Sequence, residues 1–454
     1  MSIKRGFLSS HLLLSLVFFV PLFLAACNSY GPHSVVFWTS ITDDIDFKAQ
    51  QHIVAAFEKA NPDLHVNLVR APSTGTGDAT SLITSARGGV GPDVFLIDRF
   101  TVAQQASIGL LNDLSSYASK ESGLDKQYLP FAWQEATYQG HPYGLPMDTD
   151  ARALYYNKKM LRDAGVNPDV LNPSHGPPSL QLVEQIADKV NHLDNHGAYD
   201  RLGFDPSNDQ GFFSTWQLDF GAKFYNQQSC QLTPTEAAQQ QAYQFMYDWS
   251  KHLGPQKQST FWATYEPANM LPSQNPLFIN RFALDISGDW QLANIKEYAP
   301  KLDYGVTYLP IPQGRKTPFT WSGGFSLVMP AGVHNPDGAW RFMRFMAGPD
   351  GQRIYTKESS HMPTWAPLLN EKSLYTPDHL FFVNLLRYSV SRPPLPIGLQ
   401  LNDEYSAAQQ AVTLNTDKPQ SVLQRISHRL QPMLDQYCPV KLNGWSPYPV
   451  GSSS

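Results

Sequence analysis

One position in the sequence places an acidic and a basic side chain next to each other at the end of an apolar run. Residues 94–97 are Val-Phe-Leu-Ile, and Asp98, Arg99 and Phe100 follow them directly. A carboxylate accepts two hydroxyl hydrogen bonds and an adjacent guanidinium donates several, which is the pairing that vicinal hydroxyl groups require. We therefore predict that Asp98 and Arg99 bind a polyhydroxylated ligand. The alternative is that Asp98 caps a helix start and Arg99 lies on the surface.

Two pairs of carboxylates could support a different chemistry. Asp148 with Asp150, and Asp285 with Asp289, have the residue types of the acid and nucleophile of a glycoside hydrolase. Neither pair has a sequence context that would raise the pKa of one member, and the sequence contains no nucleophile elbow, P-loop or zinc motif. Catalysis is therefore the less favoured hypothesis, and we predict no catalytic residue, metal or cofactor.

The elements that must position these side chains alternate between strands and helices. In chain order they are a strand at 35–38, a helix with apolar positions from Phe47 to Phe57, a strand at 64–68, a further helix, and the strand at 94–97. This order predicts a parallel α/β sheet. Ligands collect beyond the carboxyl ends of such strands, where Trp38, Ser40 and Asp98 would lie.

The N-terminus has the three parts of an export signal. Lys4 and Arg5 precede an uncharged run at 12–24, and Ala25 and Ala26 then lead to Cys27. A bilayer-spanning helix needs about 20 residues, so this run is too short to be one. The sequence Leu-Ala-Ala-Cys resembles the lipobox of bacterial lipoproteins, which implies cleavage after residue 26 and acylation of Cys27. The alternative is plain secretion; in both cases the rest of the chain would face the exterior or the periplasm.

The composition disfavours some partners and predicts one covalent link. The chain carries 34 Lys+Arg against 39 Asp+Glu and has no basic run, which disfavours nucleic acid and anionic membrane surfaces. Aromatic residues make up 12%, and flat rings with polar groups at their edges suit carbohydrate. Besides Cys27 the cysteines are Cys230 and Cys438. Their even number in an exported chain predicts a disulfide.

A longer motif gives the chain a family resemblance. Residues 138–159, YQGHPYGLPMDTDARALYYNKK, contain a turn, a strand, a break at Pro146, a polar run and a second strand. From the residues alone, a hinge between two bodies and an ordinary strand pair are equal alternatives. The pattern resembles the first interlobe crossover of the family 1 extracellular solute-binding proteins, the maltose, maltodextrin and trehalose type that serve ABC importers. Further segments resemble the same family in the same order, at 98–100, 209–216, 281–290, 304–325, 361–365 and 392–396.

The resemblance implies a two-lobed α/β fold of the type II periplasmic-binding-protein kind, with discontinuous lobes joined by hinge crossovers. The implied boundaries are a signal peptide at 1–26, a linker at 27–34, a first lobe at 35–150 and 284–332, and a second lobe at 151–283 and 333–454. In this scheme residues 281–290 contain a strand that returns to the first lobe. The lobes would close over a ligand by bending at the crossovers, a motion for which periplasmic binding proteins are a standard example.

The resemblance also implies a set of ligand contacts where the lobes meet. A sugar would lie between aromatic rings, and Asp98, Arg99 and Asp148 would bind its hydroxyl groups. Gly323 and Gly324 would let the backbone approach the ligand closely, although a strand-end turn explains two adjacent glycines equally well. The rings are those of Trp38, Trp216, Trp290, Trp321 and Trp365, and for Trp216 and Trp290 a core position is the alternative.

The implied function is that of a substrate-binding lipoprotein of an ABC importer, which binds a di- or oligosaccharide and delivers it to the permease. We expect a monomer, anchored through Cys27 to the outer face of the cell membrane or held in the periplasm. Two alternatives remain open: an extracellular glycoside hydrolase, and a lipoprotein that senses a sugar for a signalling system. Glycerol phosphate is disfavoured, because a phosphate recruits several basic groups and only Arg99 and Arg353 are available in the stretches assigned to the cleft.

Overall fold

The computed structural model describes residues 31–71, 82–85, 90–442 and 445. Its two largest sheets have five strands each and form the centres of two lobes. Across the first sheet the strand order is His65–Arg70, Ser34–Thr39, Val94–Asp98, Phe325–Val328 and Gly144–Pro146. Across the second sheet it is Tyr304–Thr307, Arg152–Asn157, Phe282–Gly288, Tyr199–Phe204 and His192–Leu193. The predicted two-lobed α/β fold is confirmed. The signal peptide at 1–26 and the acylation site Cys27 lie outside the described residues.

The first sheet begins with the predicted parallel strands. Ser34–Thr39 pairs in parallel with both His65–Arg70 and Val94–Asp98, and the helix Asp44–Ala60 connects the first two. The Asp43 carboxylate caps this helix by accepting hydrogen bonds from the Ile45 and Asp46 amides at 2.8 and 3.2 Å. The ends of Ser34–Thr39 and Val94–Asp98 therefore lie side by side, next to the start of the capped helix.

Helices cover both sheets. Besides the helical residues 82–85, the α-helices in the described part of the chain are Asp44–Ala60, Val102–Ser107, Ser115–Ala118, Pro130–Glu135, Lys158–Asp163, Leu180–Val190, Phe213–Asp219, Ala237–Leu253, Pro255–Tyr265, Gln291–Tyr298, Pro336–Met346, Pro349–Ser359, Pro377–Leu385, Gly398–Thr413 and Pro419–Leu434. None of the helices in the described ranges is long and apolar enough to cross a membrane.

Several segments lie in a different lobe from the one predicted. The strand Tyr304–Thr307, predicted in the first lobe, pairs with Arg152–Asn157 at the edge of the second sheet. The strand Phe282–Gly288 does not return to the first lobe; it pairs with Arg152–Asn157 and Tyr199–Phe204 at the centre of the second sheet. All seven of its residues are buried, because it has neighbours on both sides. Conversely, the helices Pro336–Met346 and Pro349–Ser359, predicted in the second lobe, pack against the first sheet.

The chain passes between the lobes where short strands pair. It leaves the first sheet after Gly144–Pro146 and enters the second at Arg152–Asn157, so the predicted crossover at 138–159 does join two bodies. It returns between Thr320–Ser322 and Phe325–Val328. Two small sheets brace these passages: Asp148–Thr149 pairs with Met362–Pro363, and Thr320–Ser322 pairs with Ser389–Ser391.

A disulfide joins Cys230 to Cys438, as predicted, and links positions 208 residues apart. Because a cross-link over so long a segment restricts the unfolded chain strongly, we expect the Cys230→Ser/Cys438→Ser variant to lose about 3–5 kcal/mol of unfolding free energy. Urea denaturation of the oxidised protein and of the double variant measures this loss. Equal midpoints for the two proteins would contradict the expectation.

Candidate functional site

A cavity of about 730 Å³ lies between the lobes, bordered by residues from both. The first lobe contributes the ends of its parallel strands, including Ser40 and Asp98, and the start of the helix Asp44–Ala60. The second lobe contributes Arg152, Trp290 and the helix Gly398–Thr413. The volume falls within the range of about 300–1,000 Å³ that is usual for small-molecule sites.

Asp98 and Arg392 form an ion pair in the wall of this cavity, between the two lobes. Asp98 ends a strand of the first sheet, whereas Arg392 follows the strand Ser389–Ser391, which packs with the second lobe. The Arg392 Nη2 donates to Asp98 Oδ1 at 2.8 Å. The guanidinium carbon lies 3.9 Å from the centroid of the Phe100 ring, and the Nε has no hydrogen-bond partner. The Nε atom is buried, so the pair places a carboxylate and the outer part of a guanidinium at one point of the cavity wall.

A second ion pair is formed by Asp150 and Arg152 at the start of the second lobe. The Arg152 Nη1 donates to Asp150, and its Nε and Nη2 donate to the Gln210 side chain at 3.2 and 3.1 Å. Its guanidinium carbon lies 3.5 Å from the centroid of the Trp321 ring. One face of Trp321 is thus covered by a cation.

The third cation of the cavity wall is His361, which lies between two carboxylates. Its Nε2 is 3.4 Å from Asp46 and its Nδ1 is 3.5 Å from Asp148. Burial alone would lower the pKa of His361, but the nearby carboxylates of Asp46, Asp148 and Asp289 raise it to about 10. The imidazole therefore carries a positive charge at neutral pH. Among the described residues that border the cavity, each cation is paired with an acidic partner.

One face of the helix Gly398–Thr413 supplies neutral polar groups. Amides and hydroxyls recur along it at helical spacing and border the cavity, while the opposite face is buried in the second lobe. The polar positions are Asn402, Ser406, Gln409, Gln410 and Thr413. Sequence reasoning did not identify them, although their spacing of four, three, one and three residues between apolar positions is visible in the chain.

The family is identified by a sequence match over most of the chain. Residues 44–353 match the family described as bacterial extracellular solute-binding protein. The chain belongs to this family. Its members are solute-binding proteins, a class distinct from enzymes.

Individual relatives of this solute-binding protein are distant. The maltotriose-binding protein of Pyrococcus abyssi is 21% identical over 349 residues, which cover 76% of this chain and 69% of that protein. The sn-glycerol-3-phosphate-binding periplasmic protein UgpB of Escherichia coli O1:K1 is 22% identical over 417 residues, covering 83% and 85%. The structure of CpMnBP1 with mannobiose bound matches with a TM-score of 0.77 at 20% identity, covering 88% of this chain and 99% of that one. At this level of identity the structural likeness establishes the fold.

Arg99 does not reach the cavity of this solute-binding protein, contrary to the prediction. Its side chain is fully buried, with Nε donating to Glu135 at 2.7 Å and Nη1 donating to the Asp148 carbonyl at 2.6 Å. Its Nη2 donates to the Gly323 carbonyl. Arg99 therefore joins the two crossovers to the first lobe, and Arg392 takes its predicted place beside Asp98.

Three of the predicted aromatic platforms lie outside the cavity. Trp216 is 0% exposed in the second core, where its Nε1 donates to the carbonyls of Pro206 and Gly211. Trp38 packs edge-on against Phe95, and Trp365 packs edge-on against Tyr128 in the first lobe. Trp216 is therefore a core residue, which was the alternative to a ligand contact in the sequence prediction.

Trp290 and Trp321 do border the cavity, with different exposures. Trp321 is only 1% exposed, because Arg152 covers it and its Nε1 donates to Thr215 Oγ1 at 2.7 Å. Trp290 is half-buried and stacks on His361 at 5.5 Å. Ser40 also borders the cavity, but its hydroxyl donates to the Leu96 carbonyl at 3.0 Å.

The four carboxyl groups considered for hydrolysis are not arranged as a catalytic pair. Our expectation that none has a raised pKa was wrong: burial raises the pKa of Asp148 to about 6 and that of Asp289 to about 8, and it also raises the pKa of Asp285. However, Asp148 accepts from the Phe325 amide at 2.6 Å. Of the four, Asp150 alone borders the cavity. Since both carboxyls of a glycosidase must flank one bond, this geometry does not support that chemistry.

Asp289 also has a structural task. Its two oxygens accept from the amides of Ala151 and Met362 at 3.2 and 3.0 Å, which ties the first crossover to the small sheet behind it.

Within the described ranges, no group of three or more His, Cys, Asp or Glu side chains could hold a metal ion.

Gly323 and Gly324 lie in the second crossover, between the strands Thr320–Ser322 and Phe325–Val328. Gly324 also borders the cavity. Gly324 has φ +123°, and a Cβ there would lie 2.5 Å from the Asp148 carbonyl oxygen and 2.8 Å from Arg99 Nη1. We therefore expect Gly324→Ala to destabilise the protein by more than the about 1–3 kcal/mol of backbone strain alone. Gly314→Ala is the matched control, because Gly314 has φ +94° and no atom within 4 Å of a built Cβ.

Thermal denaturation of the two glycine variants separates strain from steric overlap. The control is expected to lose only the strain contribution, so its melting temperature should fall less than that of Gly324→Ala. Equal decreases in melting temperature would show that the contact with the Asp148 carbonyl does not add to the destabilisation.

Proposed function

We propose that this solute-binding protein binds a neutral sugar, a di- or oligosaccharide, in the interlobe cavity and delivers it to an ABC importer. The observation that carries the proposal is the Asp98–Arg392 pair in the cavity wall. Its carboxylate can accept from one hydroxyl while the spare guanidinium N–H groups donate to the next, which is the geometry of a vicinal diol. The polar face of the helix Gly398–Thr413 adds further donors and acceptors.

The charge balance of the cavity supports a neutral ligand. Arg152, His361 and Arg392 face Asp150, Asp46 and Asp98 respectively, so no described cation of the wall is left for a phosphate. Binding an anion would require breaking one of these pairs and leaving a carboxylate unpaired in a partly buried site. We therefore favour the sugar named for the maltotriose-binding relative over the glycerol phosphate named for UgpB.

Binding is proposed to favour the closed arrangement of the lobes. The cavity borders both lobes, so a ligand that contacts both is bound more tightly when they are close and shifts the population accordingly. Export, acylation of Cys27, a monomeric state and docking on permease subunits belong to the same proposal, supported by the sequence and by the family.

The test is calorimetry on the chain without residues 1–27, titrated with maltose, maltotriose, mannobiose, trehalose, cello-oligosaccharides and glycerol 3-phosphate. We expect saturable binding of at least one sugar, no binding of glycerol 3-phosphate, and no release of reducing ends on long incubation. Binding of glycerol 3-phosphate alone would replace the sugar by a phosphate ester. Turnover of a glycan would overturn the proposal in favour of an enzyme.

A further inference from the structure

A continuous stack of rings and cations runs along the cavity from one lobe to the other. It begins with Tyr355 of the helix Pro349–Ser359 in the first lobe, whose ring is 5.5 Å from that of His361 with 8° between the planes. His361 stacks in turn on Trp290 at 5.5 Å and 26°. The Arg152 guanidinium carbon lies 5.4 Å from the Trp290 ring and 3.5 Å from the Trp321 ring.

Within this stack, His361 connects the residues of the first lobe to those of the second. Arg152, Trp290 and Trp321 are parts of the second lobe and its crossover, and Tyr355 is part of the first core. His361 lies between them, 5% exposed, immediately before the strand Met362–Pro363 that pairs with the first crossover. It is the link through which the first lobe contacts the ring of Trp290.

The charged groups around His361 come from several elements. Asp46 belongs to the helix Asp44–Ala60, Asp148 to the first crossover, and Asp289 to the turn after Phe282–Gly288. Two further groups act on the same charge: Asp43, which caps the first helix, and His379 of the helix Pro377–Leu385. Burial and the His361 charge lower the pKa of His379 to about 4, so His379 is neutral where His361 is charged.

We propose that His361 is a positioning residue of the cleft, a charged imidazole that holds the Trp290 ring in place by stacking it on the first lobe. An imidazolium attracts the negative face of an indole ring, and the attraction is stronger in a partly buried site. The carboxylates of Asp46 and Asp148 lie 3.4 and 3.5 Å from its two nitrogens and attract the charged imidazole from opposite sides, while Tyr355 stacks on the ring from the first lobe. A ligand that contacts Trp290 then meets a ring already oriented for it.

The first readout is ligand affinity, which depends on the proposed function because it uses whichever sugar binds the wild-type chain most tightly. His361→Gln removes both ring and charge, and His361→Phe keeps the ring and removes the charge. We expect the dissociation constant at pH 7 to rise about ten-fold in His361→Gln and to rise in His361→Phe as well. His52→Gln is the matched control, because His52 is an exposed surface residue paired with Glu358, and it should bind as the wild type does.

The second readout needs no ligand and no variant of His361, so it stands if the sugar proposal fails or if a substitution prevents folding. Nitrogen-15 spectra of histidine-labelled protein at pH 8.5 should show an imidazolium, whereas histidines with the ordinary pKa of about 6.5 are neutral there. In Trp290→Leu the carbon-bound protons of this ring should move downfield, because the ring current of the stacked indole is lost.

The outcomes separate the two proposals. An imidazolium at pH 8.5 whose protons respond to Trp290→Leu supports the positioning role, whether or not a sugar binds. Only neutral imidazoles at pH 8.5, or a charged ring that ignores Trp290→Leu, would overturn it. Unchanged sugar affinity in both folded His361 variants would also overturn the positioning role. If the wild type bound none of the sugars, only the proposed function would be overturned.

Discussion

Replacing Arg99 with methionine is expected to lower the free energy of unfolding by about 3–5 kcal/mol. The side chains of Arg99 and Glu135 are both fully buried, 2.7 Å apart. Burial raises the pKa of Glu135, and the guanidinium opposes that shift. Without Arg99, the Glu135 carboxyl group would lose its ion-pair partner in the core, and only the weaker interaction with Arg392 among the causes acting on its pKa would favour its charged form. The carbonyls of Asp148 and Gly323 would lose their donor at the same time.

Chemical denaturation at neutral pH measures the effect, with two further variants as references. Arg341→Met removes an exposed guanidinium paired with Asp63 and should cost less than about 1 kcal/mol. The double variant Arg99→Met/Glu135→Gln should recover part of the loss, because it removes the unpaired charge but leaves the two carbonyls without a donor. If Arg99→Met were no worse than Arg341→Met, Arg99 would not be the tie between the crossovers that its contacts indicate.

The contrast between Arg99 and Arg392 shows where sequence reasoning stopped. Asp98 was assigned correctly to the cavity, because a polar residue at the carboxyl end of a buried parallel strand lies at the edge of the sheet where ligands bind. Successive side chains of a strand point to opposite faces, and the chain turns into a short helix at Arg99, so the next residue points away from its neighbour. The partner that Asp98 does have, Arg392, lies 294 residues further along. Its segment at 392–396 resembled the family, but nothing in the sequence paired it with Asp98.

The fold was predictable where its signal was local or resembled a family. The crossover at 138–159, the helix Asp44–Ala60 and the cysteine pair needed only a motif, the helical spacing of apolar residues and a count of cysteines. The strand Phe282–Gly288 was placed in the first lobe because residues 281–290 were matched to a return crossover of the family, whereas the structure has it at the centre of the second sheet. An apolar strand sequence does not reveal which of two sheets the strand will join. Trp216 and Trp321 posed the same difficulty: an aromatic residue in a sequence does not reveal whether its neighbours will be a ligand, another ring or Arg152.

Replacing Arg392 with methionine should produce the largest loss of sugar affinity of any single change in the cavity. Among the described residues, Asp98 is the charged partner of this guanidinium at hydrogen-bond distance, and we assign the guanidinium N–H groups that border the cavity to the sugar. Removing it takes away these donors and also leaves the Asp98 carboxylate, only 12% exposed, without its cation. We expect affinity to fall by about 2–4 kcal/mol, which is about 30- to 1,000-fold in the dissociation constant.

Calorimetry with the sugar that binds the wild type most tightly measures this loss. Arg353→Met is the matched control: Arg353 was the other basic residue considered for the cleft, but it pairs with Glu371 outside the cavity. Its variant should bind as the wild type does. Wild-type affinity in Arg392→Met would instead show that the sugar does not contact this pair.

Asp98→Asn tests the same pair from the other side and distinguishes hydroxyl binding from charge attraction. The amide keeps one acceptor oxygen but no charge, so sugar affinity should fall less than in Arg392→Met. The freed guanidinium becomes available to an anion, and glycerol 3-phosphate should therefore bind more tightly to Asp98→Asn than to the wild type. A variant that loses sugar binding and gains no phosphate ester would contradict the view that paired charges, rather than the shape of the cavity, exclude anions.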